Sequence, residues 1–116
     1  MLRRLLATFS RIDGVSGAVV VDAEMTPVAT FLDSLNEGIE VSAGIHEVLR
    51  EGERLSSAAG LSGLEQVWME SDQGNVLVSP LFDGHVLLVS SANASNIGRL
   101  RHEIRARTPV IEDLLR

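Results

Sequence analysis

Apolar and polar positions along the chain predict three helices and five strands. Near the start, apolar residues recur at helical spacing over 2–12, which predicts a short amphipathic helix that Asp13-Gly14 ends. The clearest helical periodicity covers 38–59, where the apolar positions lie on one side of the helix and the charged positions on the other. Gly60 is a suitable C-cap for this middle helix.

The strand pattern differs between two kinds of segment. Residues 15–22 and 86–89 contain nearly continuous apolar runs, which is typical of strands buried on both faces. The other predicted strands lie beside turn-forming residues. Thr26-Pro27 precedes the segment 28–32, Asp72 to Asn75 separates 64–70 from 76–81, and Asp83-Gly84 follows 76–81. The predicted strands are 15–22, 28–32, 64–70, 76–81 and 86–89.

A last helix begins near Ser95 or Asn96, either of which can cap its N-terminus. Pro109 lies within it and predicts a kink or a break near Thr108. The element order is therefore α-β-β-α-β-β-β-α. This order predicts one α+β domain over residues 1–116, with one five-stranded antiparallel sheet.

Composition excludes several classes of protein. The 116 residues include no cysteine and no lysine, which excludes disulfide scaffolds, thiolate chemistry, Schiff bases and phosphate loops that need lysine. Aromatic residues make up 3% of the chain, too few for a stacking platform on single-stranded nucleic acid. No apolar run is long enough for a membrane span, so we expect a cytoplasmic protein.

The net charge of −6 argues against general binding to nucleic acid or to anionic membranes. Charge is segregated, because residues 12–92 carry thirteen acids and two arginines, whereas both termini are basic. This suggests that the termini lie together, away from an acidic face. The terminal arginines either form a partner-binding face or are a solvated helix surface; they are Arg3, Arg4, Arg11, Arg99, Arg101, Arg105, Arg107 and Arg116.

Motifs for catalysis or metal binding are incomplete. His46-Glu47 and His102-Glu103 both begin a zinc motif, but Arg50 and Ala106 occupy the positions of its second histidine. Gly14-Val15-Ser16-Gly17 lacks the glycine that a nucleophile elbow needs at position 18. We therefore expect no catalytic residue, no metal and no cofactor, although an unrecognised hydrolase remains a remote alternative.

Isolated polar and aromatic residues also have ordinary structural explanations. Aspartate is a common turn residue, and the candidate general acids all lie at strand ends or turns; they are Asp22, Asp33, Asp72 and Asp83. Trp68, the lone tryptophan, could either anchor a partner or fill the core. The sequence does not distinguish these two roles.

Three segments together resemble the roadblock-type dynein light chain family. They are the opening helix with Asp13-Gly14-Val15-Ser16-Gly17-Ala18-Val19-Val20-Val21-Asp22, the hairpin over 79–89, and the helix start over 96–104. The element order matches along essentially the whole chain. Two departures are Glu24-Met25-Thr26, where a glycine is common, and Pro109 in the last helix.

The resemblance implies a roadblock/profilin-like fold, with the middle helix on one face of the sheet and the terminal helices on the other. It also implies a homodimer in which middle helices pair and third strands join, and no catalytic site. Prokaryotic members work with small Ras-like GTPases, and the mutual-gliding (MglB-like) type stimulates their GTP hydrolysis. A lone short domain fits that prokaryotic group.

The resemblance leads us to expect a homodimeric regulator or scaffold of a small Ras-like GTPase. The alternative is a small-molecule sensor or scaffold of similar topology without a GTPase partner. The predicted dimer interface comprises Val41, Gly44, Ile45, Val48, Gly52, Leu64, Val67 and Trp68. The predicted partner-binding residues are the polar side of the middle helix: His46, Glu47, Arg50, Glu53 and Arg54.

Overall fold

A computed structural model of the chain describes residues 1–32, 44–92 and 96–116. The predictions for the start of the middle helix over 38–43, for Val41, for Asp33 and for the Ser95 cap lie outside these residues. Within them the helices are α1 (Leu2–Ala7, then a 3₁₀ turn over Thr8–Arg11), α2 (Ile45–Ala58) and α3 (Ile97–Leu115). The strands are β1 (Val15–Val21), β2 (Pro27–Leu32), β3 (Val67–Ser71), β4 (Gly74–Pro80) and β5 (Val86–Ser91).

The five strands form one antiparallel sheet in the order β2-β1-β5-β4-β3. The central strand, β5, has four consecutive buried apolar residues over 86–89. Successive strand residues point to opposite faces, so this strand supplies both faces of the sheet. The prediction that β1 and β5 are central and covered on both sides is confirmed.

The two faces of the sheet have separate cores. Leu87 and Val89 pack with residues of α1 and α3, including Leu6 and Ile104, on one face. Val86 and Leu88 pack on the other face with two α2 residues, Ile45 and Leu49. One helix therefore covers one face and the two terminal helices cover the other, as the resemblance implies.

The last helix does not break at its proline. Pro109 removes one helical hydrogen bond, yet α3 is continuous from Ile97 to Leu115. Ile104 and Ile111, both fully buried, flank the proline and hold the helix on the sheet. Thr108 Oγ1 also donates a hydrogen bond to the Ile104 carbonyl (2.8 Å). Of the two predicted outcomes, the break is therefore wrong, and the kink stays a prediction.

Two other boundaries differ from the predictions by more than two residues. The first helix is α-helical only to Ala7 and continues as a 3₁₀ turn. β3 begins at Val67 rather than at position 64, because a loop precedes it. Gly60 and Gly63 in this loop have positive φ angles of 79° and 75°, which are incompatible with continuing a helix or a strand.

The turn between β1 and β2 explains a departure from the family pattern. Met25 takes a φ of 64°, the left-handed conformation that usually favours glycine. The side chain of Asp22 holds this turn, because its Oδ1 accepts hydrogen bonds from the backbone N–H groups of Glu24 (3.0 Å) and Thr26 (2.9 Å). The aspartate thus stabilises a turn without a glycine.

One of the terminal arginines, Arg107, ties α3 to α1. Its half-buried guanidinium donates hydrogen bonds to the Glu103 carboxylate and, at 2.9 Å, to Thr8 Oγ1. It also lies 5.2 Å from the centroid of the Phe9 ring, within cation–π range. The hydrogen bond from Arg107 lowers the pKa of Glu103. Arg107 is therefore a structural residue rather than part of a free basic surface.

The lowered pKa of Glu103 predicts a pH-dependent contribution to stability. A carboxylate with a depressed pKa stabilises the fold above its unfolded pKa of about 4.3, and this contribution disappears as pH falls through the folded pKa. We expect Glu103→Gln to lower the urea midpoint at pH 7, with a smaller difference from wild type at pH 3. An equal difference at both pH values would contradict this. Glu51→Gln, which removes an exposed ion pair, is the control with little effect.

No helix within the described ranges is long and apolar enough to cross a membrane.

Candidate functional site: the middle helix and the adjoining edge strand

The helix α2 attaches to the sheet through a narrow apolar stripe. Ile45 and Leu49, one turn apart, are its buried residues, and Val48 beside them is half-buried. Gly44 caps the helix N-terminus without a side-chain hydrogen bond, and nothing lies within 4 Å of the position that a Cβ would take there. Three of these predicted interface residues, Ile45, Val48 and Gly44, thus lie on or beside the sheet-facing stripe.

Gly52 lets α2 approach its own edge strand closely. A Cβ at this position would lie 3.1 Å from Leu64 Cδ2 and 3.3 Å from Val67 Cγ2, tighter than ordinary contacts. The structure therefore brings together three predicted interface residues, Gly52, Leu64 and Val67, in a contact within one chain. The pairing of Gly52 with a second copy of the chain stays a prediction.

This contact predicts that a branched side chain at position 52 destabilises the fold. Overpacking a well-packed contact costs about 1–3 kcal/mol. We expect Gly52→Val to lower the free energy of unfolding by about 2 kcal/mol in urea titration. Ser57→Val, which places the same side chain on the exposed side of α2, is the matched control. Equal stability of the two variants would show that the space beside Leu64 is not limiting.

Trp68 lies on the opposite face of the sheet from Val67. It is half-buried and packs against the core formed with α1 and α3. Its indole Nε1 donates a hydrogen bond to Gln66 Oε1 (3.1 Å). The sequence leaves two roles open for Trp68, anchoring a partner and filling the core. Both are compatible with this position, because Trp68 contributes to packing and keeps part of its surface accessible.

The predicted partner-binding residues form the outward side of α2. All five are exposed: His46, Glu47, Arg50, Glu53 and Arg54. Arg54 forms an ion pair with Glu51 one turn away, at 3.0 Å between Nη1 and Oε1, with both side chains more than 60% exposed. Such an exposed pair contributes little to folding, so the face is available for contacts with a partner.

The structure adds apolar residues that the sequence analysis missed beside this face. Leu55 of α2 is 72% exposed, although its position on the helix agrees with the apolar side. Met69 of β3 is 42% exposed on the same face of the sheet as Val67. In the described part of the chain, β3 pairs with β4 alone and forms one edge of the sheet. An exposed edge strand beside exposed apolar side chains is typical of an interaction surface.

The described residues do not bring the candidate metal ligands or serines together in a second functional site. His46 and His102 lie on different helices, and the described residues contain no group of three or more His, Asp or Glu side chains placed to hold a metal ion. Ser16 Oγ and Ser90 Oγ are 2.8 Å apart and hydrogen-bond to each other across neighbouring strands. These serines therefore join β1 to β5.

This architecture, an antiparallel sheet with one helix on one face and two on the other, matches solved structures along nearly the whole chain. A Roadblock/LC7 domain from Streptomyces avermitilis has a TM-score of 0.83 and 16% identity, covering 97% of this chain and 96% of that one. Myxococcus xanthus MglB has a TM-score of 0.84 and 11% identity, covering 98% and 94%. The gliding protein MglB from Thermus thermophilus has a TM-score of 0.83 and 9% identity, covering 97% and 86%.

Sequence comparison identifies the family. Residues 1–91 match the Roadblock/LC7 domain. The uncharacterized protein MJ0714 of Methanocaldococcus jannaschii is 33% identical over 101 residues, which cover 87% of this chain and 85% of that protein. The chain therefore belongs to the Roadblock/LC7 domain family, and the predicted resemblance and fold class are confirmed.

Proposed function

We propose that the chain forms a homodimer that regulates or scaffolds a small Ras-like GTPase. The observation that carries the proposal is that α2 and β3 together present two kinds of surface side by side. An accessible sheet edge and exposed apolar side chains provide a self-association surface, and a separate charged helix face lies next to it. The family and the MglB-like fold support the same proposal.

The edge strand favours self-association by strand pairing. Residues 67–71 present backbone donors and acceptors along the edge, and a twofold pairing with the same strand of a second copy would satisfy them. Pairing in this way would place the two α2 helices side by side, with Leu55 and Met69 of each copy near the shared boundary. Self-association also occurs in a protein of this fold, an MglB with a tetrameric arrangement.

The GTPase docks, in this proposal, on the paired outward faces of α2. The mixture of acidic and basic side chains at Glu47, Arg50 and Arg54 allows charge complementarity with a partner. The twofold dimer gives a composite surface that one GTPase could straddle asymmetrically. In this proposal the chain supplies no catalytic residue, and any stimulation of hydrolysis acts by ordering the partner's switch loops.

The decisive experiment measures binding to a defined partner. Each small Ras-like GTPase encoded in the same genome is titrated with the purified chain by calorimetry, once loaded with GDP and once with a non-hydrolysable GTP analogue. We expect one GTPase to bind with a nucleotide-dependent affinity, at one GTPase per dimer. Absence of binding to every such GTPase, with a metabolite bound instead, would favour the sensor alternative.

A further inference from the structure

A groove lined by both charged and apolar residues runs between α3 and the loop over 60–66 that joins α2 to β3. It comprises two adjoining cavities of about 590 and 490 Å³, which share Glu65, Gln66 and Arg105 among their lining residues. Arg101 and Trp68 line the first cavity, and the second extends to Pro109. None of the five polar α2 residues proposed for GTPase docking lines either cavity.

Two arginines on one side of α3 give the groove its charge. Arg101 is exposed and has neither an ion pair nor a hydrogen bond to any side chain in the described ranges. Arg105 Nη2 donates a hydrogen bond to Glu65 Oε2 (2.9 Å), but the two side chains are 53% and 73% exposed. An exposed pair of this kind is weak enough for an incoming carboxylate to replace Glu65.

The spacing of the two arginines matches an extended peptide. Arg101 and Arg105 are four residues apart on one helix, which corresponds to a rise of about 6 Å. Alternate side chains of an extended chain lie on the same face about 6.6 Å apart. Two glutamates separated by one residue would therefore face the two guanidinium groups, each of which can bind a carboxylate through two parallel hydrogen bonds.

The groove also offers apolar contacts. Leu64 lines both cavities and Trp68 lines the first, and both side chains are half-buried. Either can contact an apolar side chain next to the acidic pair. Pro109, which lines the second cavity, adds an exposed apolar ring.

We propose that this groove binds an extended acidic segment of a partner protein, with two glutamates separated by one residue. The groove is open and has charged residues in its lining, unlike the enclosed and mainly apolar pockets that hold small molecules. Arg101 and Arg105 are the only cations among the described lining residues, too few for the run of phosphate contacts that nucleic acid or an anionic membrane needs. The proposal requires neither the homodimer nor the GTPase, because the groove is formed within one chain.

The experiment uses a fluorescein-labelled peptide, Leu-Glu-Ala-Glu-Ala, titrated with the full chain and followed by fluorescence anisotropy. Unlabelled peptide is followed by Trp68 emission, which comes from the only tryptophan of the chain. We expect saturable binding accompanied by a change in this emission. The peptide Leu-Glu-Glu-Ala-Ala, whose two carboxylates point to opposite sides, should bind at least fivefold more weakly.

Variants locate the site on α3. Arg101→Gln and Arg105→Gln should each weaken binding about tenfold, whereas Glu65→Gln, which removes the competing carboxylate, should strengthen it. Arg99→Gln is the matched control, because Arg99 is exposed on the same helix and lines neither cavity. An equal loss with Arg99→Gln, equal binding of the two peptides, or unchanged Trp68 emission would overturn the proposal. So would displacement of the peptide by an equal concentration of inorganic phosphate, since that would indicate a small-anion site.

Discussion

Replacing Leu55 and Met69 together by lysine is expected to convert the proposed homodimer into a monomer. These side chains are 72% and 42% exposed beside the β3 edge, so lysine at either position should fit the isolated chain without strain. In a twofold dimer each substitution occurs twice, and four positive charges would gather at one boundary. We expect the dimer dissociation constant to rise at least a hundredfold, or about 2.8 kcal/mol.

Light scattering during size-exclusion chromatography measures this effect. At tens of micromolar, the wild-type chain should have twice the mass of the 12.5 kDa chain, and the double variant should have that single mass. The double variant Val110→Lys with Leu114→Lys is the control, because these α3 side chains are similarly exposed, at 47% and 37%. A wild-type monomer, or a dimer that only the control dissociates, would contradict the proposed interface.

Most of the fold follows from local sequence patterns because its elements are strongly periodic. The run over 86–89 lacks alternation since both of its faces are covered, and such a run is typical of a central strand. The α2 periodicity likewise predicts that Ile45 and Leu49 face the sheet. Periodicity specifies which side of a helix is apolar, but not how far the neighbouring sheet extends beneath the helix. For this reason the pattern predicts that Leu55 is buried, whereas the structure exposes it.

Contacts between distant segments could not be predicted in this way. The glycine at position 52 suggests close approach of some backbone, but only the folded chain shows that Leu64 and Val67 occupy the space. Similarly, the spacing of Glu103 and Arg107 is typical of a helical ion pair, whereas the contacts of Arg107 with α1 depend on tertiary packing.

The proposed peptide groove illustrates the same limit. Its two walls come from the loop over 60–66 and from α3, which are about forty residues apart in sequence. The sequence shows an excess of terminal arginines without separating their roles. The structure separates them: Arg107 binds Glu103, Arg116 lies 5.0 Å from the Phe82 ring centroid, and Arg101 faces the groove.

Reversing the charge of Glu47, Arg50 and Arg54 together is expected to weaken GTPase binding roughly a hundredfold while the homodimer persists. The three side chains are exposed on the outward side of α2, and their one ion pair with Glu51 is exposed too, so the melting temperature should change little. Calorimetric titration of the GTPase measures the affinity, and light scattering checks the dimer. The triple reversal makes the net charge two units more negative. The control is the double variant Arg101→Gln with Arg105→Gln, which also makes the net charge two units more negative and therefore alters long-range attraction equally. If the control abolished binding and the triple variant bound normally, the arginine-rich terminal helices rather than α2 would form the docking face.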